Sequence, residues 1–353
     1  MMRVGLVLGA GGVLGGAWLT GALHAIARET DWDPGSADYI VGTSAGAMVG
    51  VLVAAGVPPW FMVAHSRGEV FDGLNGHDGR PAADAHRAAG AVFRLHRGLP
   101  QPGPGSLRMA ATVLANPLRH TPLQMLAGWL PAGLISTDSL AETVRRAVPG
   151  RWVEHPNYWA VACDYRSGRR TPFGRLDMPR VEAADAVAAS CAIPGFYRPV
   201  RIRGRRYVDG GVCSASSLDL VAGRGLDLVI CLNPLSSRAG PAALEPLGWL
   251  PTLSRRVNRR RLEHEERKVR RFGSAVAIIE PTAEDHTAMG LNWMSVDRRR
   301  HVIQTAEQTV AEQLRRPELR VALDGLPRGA AHMIRRPPGP PDGWPGPPAR
   351  RAA

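Results

Sequence analysis

The sequence predicts an α/β layer fold with a mostly parallel central sheet, because short buried strands alternate with helices along the chain. The chain begins with two strand–loop units. In the first, residues 4–8 precede the glycine-rich loop 9–16, and in the second, Tyr39–Val41 precede a G-x-S-x-G motif. The first strand is apolar and bounded by glycine, as expected for a strand buried on both faces.

The helices of these two units are predicted at residues 17–29 and 44–55, and the first places Leu19, Leu23 and Ile26 on one face. The pattern resumes further along the chain. There the predicted elements are a strand at 158–164, a helix at 181–191, a hairpin at 200–208 that turns at Gly204, and a buried strand at 226–232.

The regular pattern is interrupted between Gly73 and Leu134, where loops rich in proline and glycine alternate with short apolar pieces. This insertion is interpreted either as a lid or pocket wall or as an irregular surface excursion. The 353 residues, 44% of them hydrophobic, are enough for one large domain, predicted at 1–325. Residues 326–353, rich in Pro, Gly and Arg, are predicted to be a disordered tail.

Composition and charge limit the classes of protein to which this sequence can belong. The formal net charge is +13, and Lys268 is the only lysine among the basic residues. This charge predicts attraction to anionic surfaces such as phospholipid headgroups. Nucleic-acid binding is not expected, because no reading module or aromatic platform accompanies the charge. The four cysteines show no C-x-x-C spacing, so they are interpreted as reduced core residues.

The first 26 residues are apolar enough to imitate a signal peptide or a membrane span. Arg3 alone forms the charged end of this stretch, and glycines crowd it, so it is predicted to stay in the mature protein. No other stretch reaches about 18 uninterrupted apolar residues. A cytoplasmic protein with at most peripheral membrane contact is therefore expected.

The motif Gly42-Thr43-Ser44-Ala45-Gly46 is the first that suggests chemistry. A strand precedes it and a helix follows, which is the context of a nucleophile elbow. Such a turn needs glycine on both sides of the serine and projects its hydroxyl above a helix N-terminus. The alternative is a glycine-rich turn with an ordinary capping serine.

A serine nucleophile needs donors for the oxyanion. The loop from Gly9 to Gly15 can supply them, because successive glycine N–H groups at a helix N-terminus form an anion-binding nest. The rival interpretation is a dinucleotide or phosphate site. It is disfavoured because Leu14 stands where G-x-G-x-x-G requires glycine, and because no acidic residue closes the second strand.

The serine also needs a base. Asp209 is the candidate, since it ends a strand and is followed by Gly210 and Gly211 at a sharp turn. An Asp-Gly turn without chemistry is the alternative. A histidine is the usual partner in α/β-hydrolases, and His286 is the one histidine after Asp209 in a loop that could reach a site.

Together these motifs resemble those of the patatin-like phospholipase family. The resemblance covers residues 3–316 and rests on the glycine-rich loop, the serine motif and Asp209-Gly210-Gly211 in that order. Residues 189–195 and 289–294 support it. It implies a three-layer α/β/α fold with a mostly parallel central sheet and a helical or irregular insertion.

The resemblance implies a Ser–Asp dyad that uses no histidine. Ser44 would be the nucleophile and Asp209 the base, while Gly11 and Gly12 would donate backbone N–H groups to the oxyanion. The glycines that support the motifs are Gly9, Gly15, Gly42, Gly46, Gly210 and Gly211. Ala10 and Leu14 replace a glycine and a basic residue frequent in the family's loop, so the loop offers no cation to a phosphate, which weakens the phospholipid assignment relative to a plain ester.

The activity implied is a serine acyl hydrolase that cleaves lipid carboxylic esters, of phospholipid or lysophospholipid, through an acyl-enzyme. It requires no metal or cofactor. Two alternatives stay open: a histidine-dependent α/β-hydrolase-type esterase that uses His286, and a catalytically silent membrane-surface adaptor.

A basic stretch at 254–272 is predicted to be a helix in which arginines are interrupted by glutamates. One interpretation is a solvated helix with Glu–Arg pairs four residues apart. The other is a peripheral contact with an anionic membrane.

Overall fold

A computed structural model describes residues 2–67, 93–96, 103–115, 122–148, 150–237 and 249–328. The strands are β1 Val4–Leu8, β2 Tyr39–Thr43, β3 Tyr158–Asp164, β4 Arg170–Phe173, β5 Val200–Ile202, β6 Arg205–Asp209, β7 Leu228–Leu232 and β8 Ala275–Ile279. The helices are α1 Gly12–Thr30, α2 Ala45–Ala54, α3 Pro59–Arg67, α4 Leu107–Ala115, α5 Pro122–Ala127, α6 Asp138–Ala147, α7 Ala183–Ser190, α8 Trp249–Arg271, α9 Ala283–Met289, α10 Arg299–Leu314 and α11 Pro317–Leu323.

The strands of the described ranges form one sheet. Hydrogen bonds connect them along the path β5-β6-β3-β2-β1-β7-β8, and β4 also pairs with β3. Strands β3, β2, β1, β7 and β8 run parallel. The antiparallel pairs all lie at one end of the sheet, where β3 meets β4 and β6 and where β6 meets β5. The predicted mostly parallel sheet is confirmed.

The register of β3 positions the end of β6. Strand β2 pairs with β3 only as far as Thr43 opposite Val161. Strand β6 pairs with β3 from the next residue, with Asp209 opposite Ala162. Since β4 occupies the other edge of β3 over these residues, β2 and β6 follow one another along the same edge. The last residue of β6 therefore lies directly beyond the last residue of β2.

Helices cover both faces of the sheet, which gives the predicted three layers. One core joins alternate sheet residues such as Leu6 and Ile40 to α1, α2, α7 and α10. A second core joins the opposite-facing residues, such as Val7 and Val41, to Leu262 of α8. This alternation follows from the two-residue period of side chains along a strand.

Helix α1 begins at Gly12, five residues before the predicted start at residue 17. Glycine disfavours helix by about 1 kcal/mol, but tertiary contacts decide the conformation here. The carbonyl of Trp293 accepts the Leu14 N–H at 3.0 Å, and a Cβ on Gly21 would lie 2.4 Å from the Ile303 carbonyl oxygen. Close packing of α1 against α10 therefore uses the glycines as helix residues.

The hairpin is confirmed, and its turn residues Arg203 and Gly204 both have positive φ, 48° and 76°. This combination is the one that a tight hairpin turn requires. Helix α7 and strand β7 lie within the predicted ranges 181–191 and 226–232.

The described part of the insertion contains α4 and α5. Its residues 73–92, 97–102 and 116–121 lie outside the described residues, as do residues 329–353 of the predicted tail. Leu326, at the start of that tail, is buried in the main core. Among the described helices, none alone has the length and hydropathy of a membrane span; α2 and α3 pass that test only as a pair bent by 118°.

Candidate active site

Ser44 sits at the turn between β2 and α2 with φ 54° and ψ −120°, a region that non-glycine residues rarely adopt. Its hydroxyl does not cap α2, so the capping interpretation is wrong. The turn needs Gly42 and Gly46, because a Cβ on either would lie 2.3 Å or 2.0 Å from a backbone carbonyl oxygen. The strand–turn–helix geometry is that of a nucleophile elbow.

The Ser44 hydroxyl donates to Asp209 Oδ2 at 2.6 Å. The other carboxylate oxygen, Oδ1, accepts the N–H of Gly211 at 2.7 Å. The Asp209 N–H donates to the Ala192 carbonyl at 2.9 Å. Both partners of the dyad are buried, Ser44 at 4% and Asp209 at 5% exposure, so this is a water-poor contact between a hydroxyl and a carboxyl.

Burial raises the pKa of the Asp209 carboxyl to about 6 from its ordinary 3.8. The hydrogen bonds from Ser44 and Gly211 oppose this rise, because they stabilise the charged form. The carboxylate is thus more basic than an exposed one yet still ionised at neutral pH. That combination suits a general base.

The backbone of Ser44 is held by the end of α7. Ser190 Oγ accepts the Ser44 N–H at 2.9 Å and itself donates to the Val161 carbonyl at 2.6 Å. The thiol of Cys191 donates to the Ser44 carbonyl at 3.2 Å. These contacts hold the backbone of the strained turn through its N–H and its carbonyl. All four cysteines are buried and free.

The glycine-rich loop lies beside the dyad. A Cβ on Gly211 would lie 3.2 Å from that of Ala10, and one on Gly46 would lie 2.8 Å from the Gly9 carbonyl oxygen. The N–H groups of Gly11, Gly12 and Val13 donate to no acceptor within the described residues. They open α1, so they sit at the positive end of its dipole.

The first turn of α1 also meets the segment after α9. A Cβ on Gly12, whose φ is +62°, would lie 3.1 Å from both Met294 Sδ and the Trp293 carbonyl oxygen. The stretch 289–294 noted in the sequence therefore packs against the loop.

Two residues of the site escaped the sequence analysis. The N–H of Ala45, directly after Ser44, has no acceptor in the described chain, and this position supplies an oxyanion donor in elbows of this type. The motif itself was the signal for it. Ser190 lies in the stretch 189–195 that supports the resemblance, but its contact with Ser44 has no sequence signal, since only the fold brings the end of α7 to Ser44.

His286 is not part of this arrangement. It is buried in α9, and neither of its ring nitrogens has a hydrogen-bond partner in the described ranges. Burial, with the charge of Arg255, lowers the pKa of His286 to about 4. Of the described histidines, none is hydrogen-bonded to Ser44 or Asp209. The described residues also hold no group of three or more His, Cys, Asp or Glu suited to a metal.

The basic stretch forms the C-terminal part of α8, as predicted. Three of its arginines pair with a glutamate four residues away, namely Arg259–Glu263, Arg261–Glu265 and Arg270–Glu266. Four others are exposed and have no acidic partner in the part of the chain described: Arg256, Arg260, Arg267 and Arg271. Their spacing places these four on one stripe of the helix.

Comparison with known proteins adds a family to this geometry. The family model "Patatin-like phospholipase" matches residues 6–222, which span β1, the elbow and Asp209. Uncharacterized NTE family proteins of Mycobacterium tuberculosis and Mycobacterium bovis are 33% identical over 113 residues. That match covers 31% of this chain and 30% of theirs. The crystal structure of VipD from Legionella pneumophila is similar with a TM-score of 0.40 and 12% identity, covering 89% of this chain and 67% of VipD.

Proposed function

The chain belongs to the patatin-like phospholipase family, and we propose that it is a serine acyl hydrolase acting through a Ser44–Asp209 dyad. The observation that supports this most is the 2.6 Å hydrogen bond from the Ser44 hydroxyl to a buried carboxylate. The ends of three elements supply the proposed nucleophile, base and N–H donors: Ser44 follows β2, Asp209 ends β6, and the glycines open α1. These groups are the minimum that acyl transfer needs.

In the first half of the proposed reaction, Asp209 accepts the Ser44 proton as Oγ attacks the ester carbonyl. The oxyanion is held by N–H groups of Gly11 and Gly12, with that of Ala45 as a further donor. Asp209 then returns the proton to the leaving alcohol as the carbon–oxygen bond breaks, and an acyl-Ser44 ester remains. The Ser44 N–H does not bind the oxyanion, because it already donates to Ser190 Oγ.

In the second half, water attacks the acyl-enzyme while Asp209 accepts its proton. The proton returns to Ser44 as the acid leaves. No step calls for a metal or an organic cofactor. The 2.7 Å hydrogen bond from the Gly211 N–H keeps the carboxylate oriented through both halves of the reaction. In a Ser–His–Asp triad, the third residue orients the base in the same way.

The proposed substrates are lipid carboxylic esters, with phospholipid or lysophospholipid as the expected class. This substrate class rests on the family to which the chain belongs. Peripheral contact with an anionic membrane from a cytoplasmic location belongs to the same proposal. The stripe of unpaired arginines on α8 supports it, whereas the three paired arginines support a solvated helix.

Two other functions predict different outcomes. A histidine-dependent esterase would lose activity in His286→Ala, but the buried, unpartnered ring of His286 disfavours it. A catalytically silent adaptor would hydrolyse nothing. The described geometry favours neither, because the dyad is complete without a histidine.

Ester hydrolysis by the purified protein tests the proposal. Wild type, Ser44→Ala, Asp209→Asn and His286→Ala are compared on short-chain esters and on lysophospholipid. We expect the two dyad variants to lose a factor of about 10³ or more in rate, and His286→Ala to keep the wild-type rate. Full activity in either dyad variant would refute the dyad. If the wild type hydrolyses none of the esters, the result would support the catalytically silent adaptor.

A further inference from the structure

Exposed apolar side chains are concentrated in the described part of the insertion. Eight of the thirteen large hydrophobic residues exposed in the described chain come from residues 93–134. We call these eight the insertion patch: Phe93, Leu95, Leu107, Leu114, Leu126, Trp129, Leu130 and Leu134. Single exposed apolar residues need no explanation, whereas a contiguous group marks a binding surface.

Helix α4 shows how these side chains come to lack a partner among the described residues. Its inner face buries Met109 and Val113 against Tyr165 and Val212. Its outer face presents Leu107 and Leu114, which are 64% and 63% exposed. A helix that is apolar on both faces is ordinarily covered on both. The outer face of α4 is therefore an uncovered apolar surface.

Backbone hydrogen bonds join the three described pieces of the insertion into one unit. The His96 N–H donates to Leu134 at 2.7 Å, the Gly105 N–H to Leu130 at 2.9 Å, and the Ser106 N–H to the Gly128 carbonyl at 3.0 Å. The exposed side chains thus belong to one connected surface instead of separate loops.

This unit is anchored to the two segments that hold the dyad. Ile135 donates its N–H to Phe196 at 3.2 Å, and the Phe93 ring packs edge-on against Phe196 at 5.5 Å. The segment before Phe196 includes Ala192, which accepts the Asp209 N–H. Cys213, just after Asp209, accepts a hydrogen bond from Gln124 at 3.3 Å. The insertion patch therefore lies beside Asp209.

Charge indicates what covers the patch. Between Asp84 and Asp138 the sequence has five arginines and no acidic residue. Of these, Arg94 and Arg108 are exposed within the described insertion, which contains no acidic residue. Outside the insertion, Arg94 acts on Glu142 of α6, whose pKa is lowered mainly by Arg146 and to a smaller extent by Arg94. An apolar surface that carries only positive charge matches an anionic lipid interface, where side chains enter the acyl boundary and arginines meet headgroup phosphates.

We infer that the insertion patch is the surface by which this protein docks on an anionic phospholipid bilayer, with the patch facing the membrane and the dyad beside it. The choice of a bilayer as occupant rests on the proposed lipid hydrolase function. The contact differs from the α8 stripe, which presents charge alone. Docking here would place the ester bonds of the bilayer next to Ser44.

Vesicle co-sedimentation tests the inference. The patch variant combines Leu107→Gln, Leu114→Gln and Trp129→Gln, which change no charge. The control combines Leu176→Gln and Val321→Gln, two exposed apolar residues outside both the insertion and the basic stretch. A third variant carries Arg→Gln at the four positions of the α8 stripe. All are made in a Ser44→Ala background so that the vesicles stay intact, and thermal unfolding verifies that each folds.

With phosphatidylglycerol–phosphatidylcholine vesicles, we expect the patch variant to lose about tenfold or more in partitioning. The control should bind like its parent, and pure phosphatidylcholine should bind less. Unchanged binding of the patch variant, or loss confined to the α8 variant, would overturn the inference. A concentration-dependent dimer of the parent that the patch variant abolishes would also overturn it, since a second copy would then be the occupant.

The test separates this inference from the proposed function. Patch substitutions are also made with Ser44 intact, and hydrolysis of a short water-soluble ester is measured. We expect that rate to stay within about twofold of wild type, because the substituted side chains point to solvent. If the wild type hydrolyses no ester while vesicle binding still depends on the patch, the function fails and the docking surface stands.

Discussion

At the scale of single residues, Asp209 is a carboxylate kept in an unfavourable environment. Its burial raises its pKa to about 6, and its charge is stabilised by only the Ser44 hydroxyl and the Gly211 N–H. Ser44 adds a strained backbone, with φ 54°. Such features cost stability and persist where function requires them.

The pKa of Asp209 predicts an acid limb in the rate profile. The base form is required, so hydrolysis of a soluble ester should fall as the pH falls through about 6. A limb with its midpoint near 4, the value of an exposed aspartate, would mean that burial does not tune the base. The measurement is kcat/KM against pH over the range in which the fold is intact.

The same shift predicts a trade between stability and activity. Because the pKa of Asp209 is higher folded than unfolded, the folded state binds the proton more tightly, and stability is lost as the pH rises from about 4 to about 6. Asp209→Asn removes this cost. It should raise the free energy of unfolding at pH 8 by on the order of 2 kcal/mol and have no such effect at pH 3. Ser44→Ala keeps the carboxylate but removes a hydrogen bond that lowers its pKa, so its stability should still fall with rising pH and should do so up to a higher pH than in the wild type. Urea unfolding measures all three proteins.

Local turn chemistry marks Ser44 and Asp209 as candidates in the sequence, and the two side chains are hydrogen-bonded in the fold. The pKa of Asp209 was not predictable, since it depends on burial by elements far apart in the chain. The same is true of Ser190, which reaches Ser44 from 146 positions away.

At the scale of elements, close backbone contacts between the serine turn and the glycine-rich loop assemble the site. The atoms nearest a Cβ on Gly46 would be the Leu8 carbonyl, with its oxygen at 2.0 Å. That contact brings the start of α2 against the end of β1. The serine turn and the glycine-rich loop, which were predicted separately from the sequence, are therefore in direct backbone contact. Hydrophobic periodicity alone does not reveal this contact.

Gly46→Ala tests the importance of this close backbone contact. The new methyl group meets backbone that cannot rotate away, so we expect a loss of about 3 kcal/mol or more in the free energy of unfolding. Gly16→Ala is the matched control, because its Cβ would meet only the Ala45 methyl at 3.8 Å. The control should stay within about 1 kcal/mol of wild type. Equal effects of the two substitutions in urea unfolding would show that the close contact does not matter.

The start of α1 was misplaced for a related reason. Glycine-rich sequence predicts a loop from propensity, but packing partners such as Trp293 and Ile303 come from the distant C-terminal region. Strands and hairpin were predictable because their hydrophobic pattern and turn residues are local.

At the scale of the whole molecule, α8 is tied to the segment that follows the dyad. Glu265 is 1% exposed and accepts hydrogen bonds from Ser214 at 2.7 Å and Ser216 at 2.6 Å. Between these two serines, the Ala215 carbonyl accepts the N–H of Ala10 at 2.8 Å. One buried carboxylate in α8 therefore braces the segment that follows Asp209 and contacts the glycine-rich loop.

Glu265→Gln should weaken this brace. An amide nitrogen placed among hydroxyl and guanidinium donors leaves buried groups unsatisfied, so we expect a loss of about 3 kcal/mol in the free energy of unfolding. Glu263→Gln, whose half-exposed side chain has one arginine partner, should cost less than about 1 kcal/mol. If Glu265→Gln is as mild as Glu263→Gln in urea unfolding, the brace carries no stability.

The mostly parallel sheet and the layered α/β architecture were predictable from alternating strands and helices, whereas the order of the strands was not predicted. The return of β6 along the edge that β2 vacates was not predicted either, although it is what brings Asp209 to Ser44. The insertion was located by its loss of pattern, but its exposed apolar face depends on how α4 packs.

Covalent labelling tests the central claim most directly. The purified protein is treated with a fluorophosphonate, which phosphonylates an activated serine, and the modified peptide is identified by mass spectrometry. Our account predicts one adduct, on Ser44, whose formation is abolished in Ser44→Ala and slowed by about 10³ or more in Asp209→Asn. An adduct on another residue, or labelling of Asp209→Asn at the wild-type rate, would contradict the Ser44–Asp209 dyad.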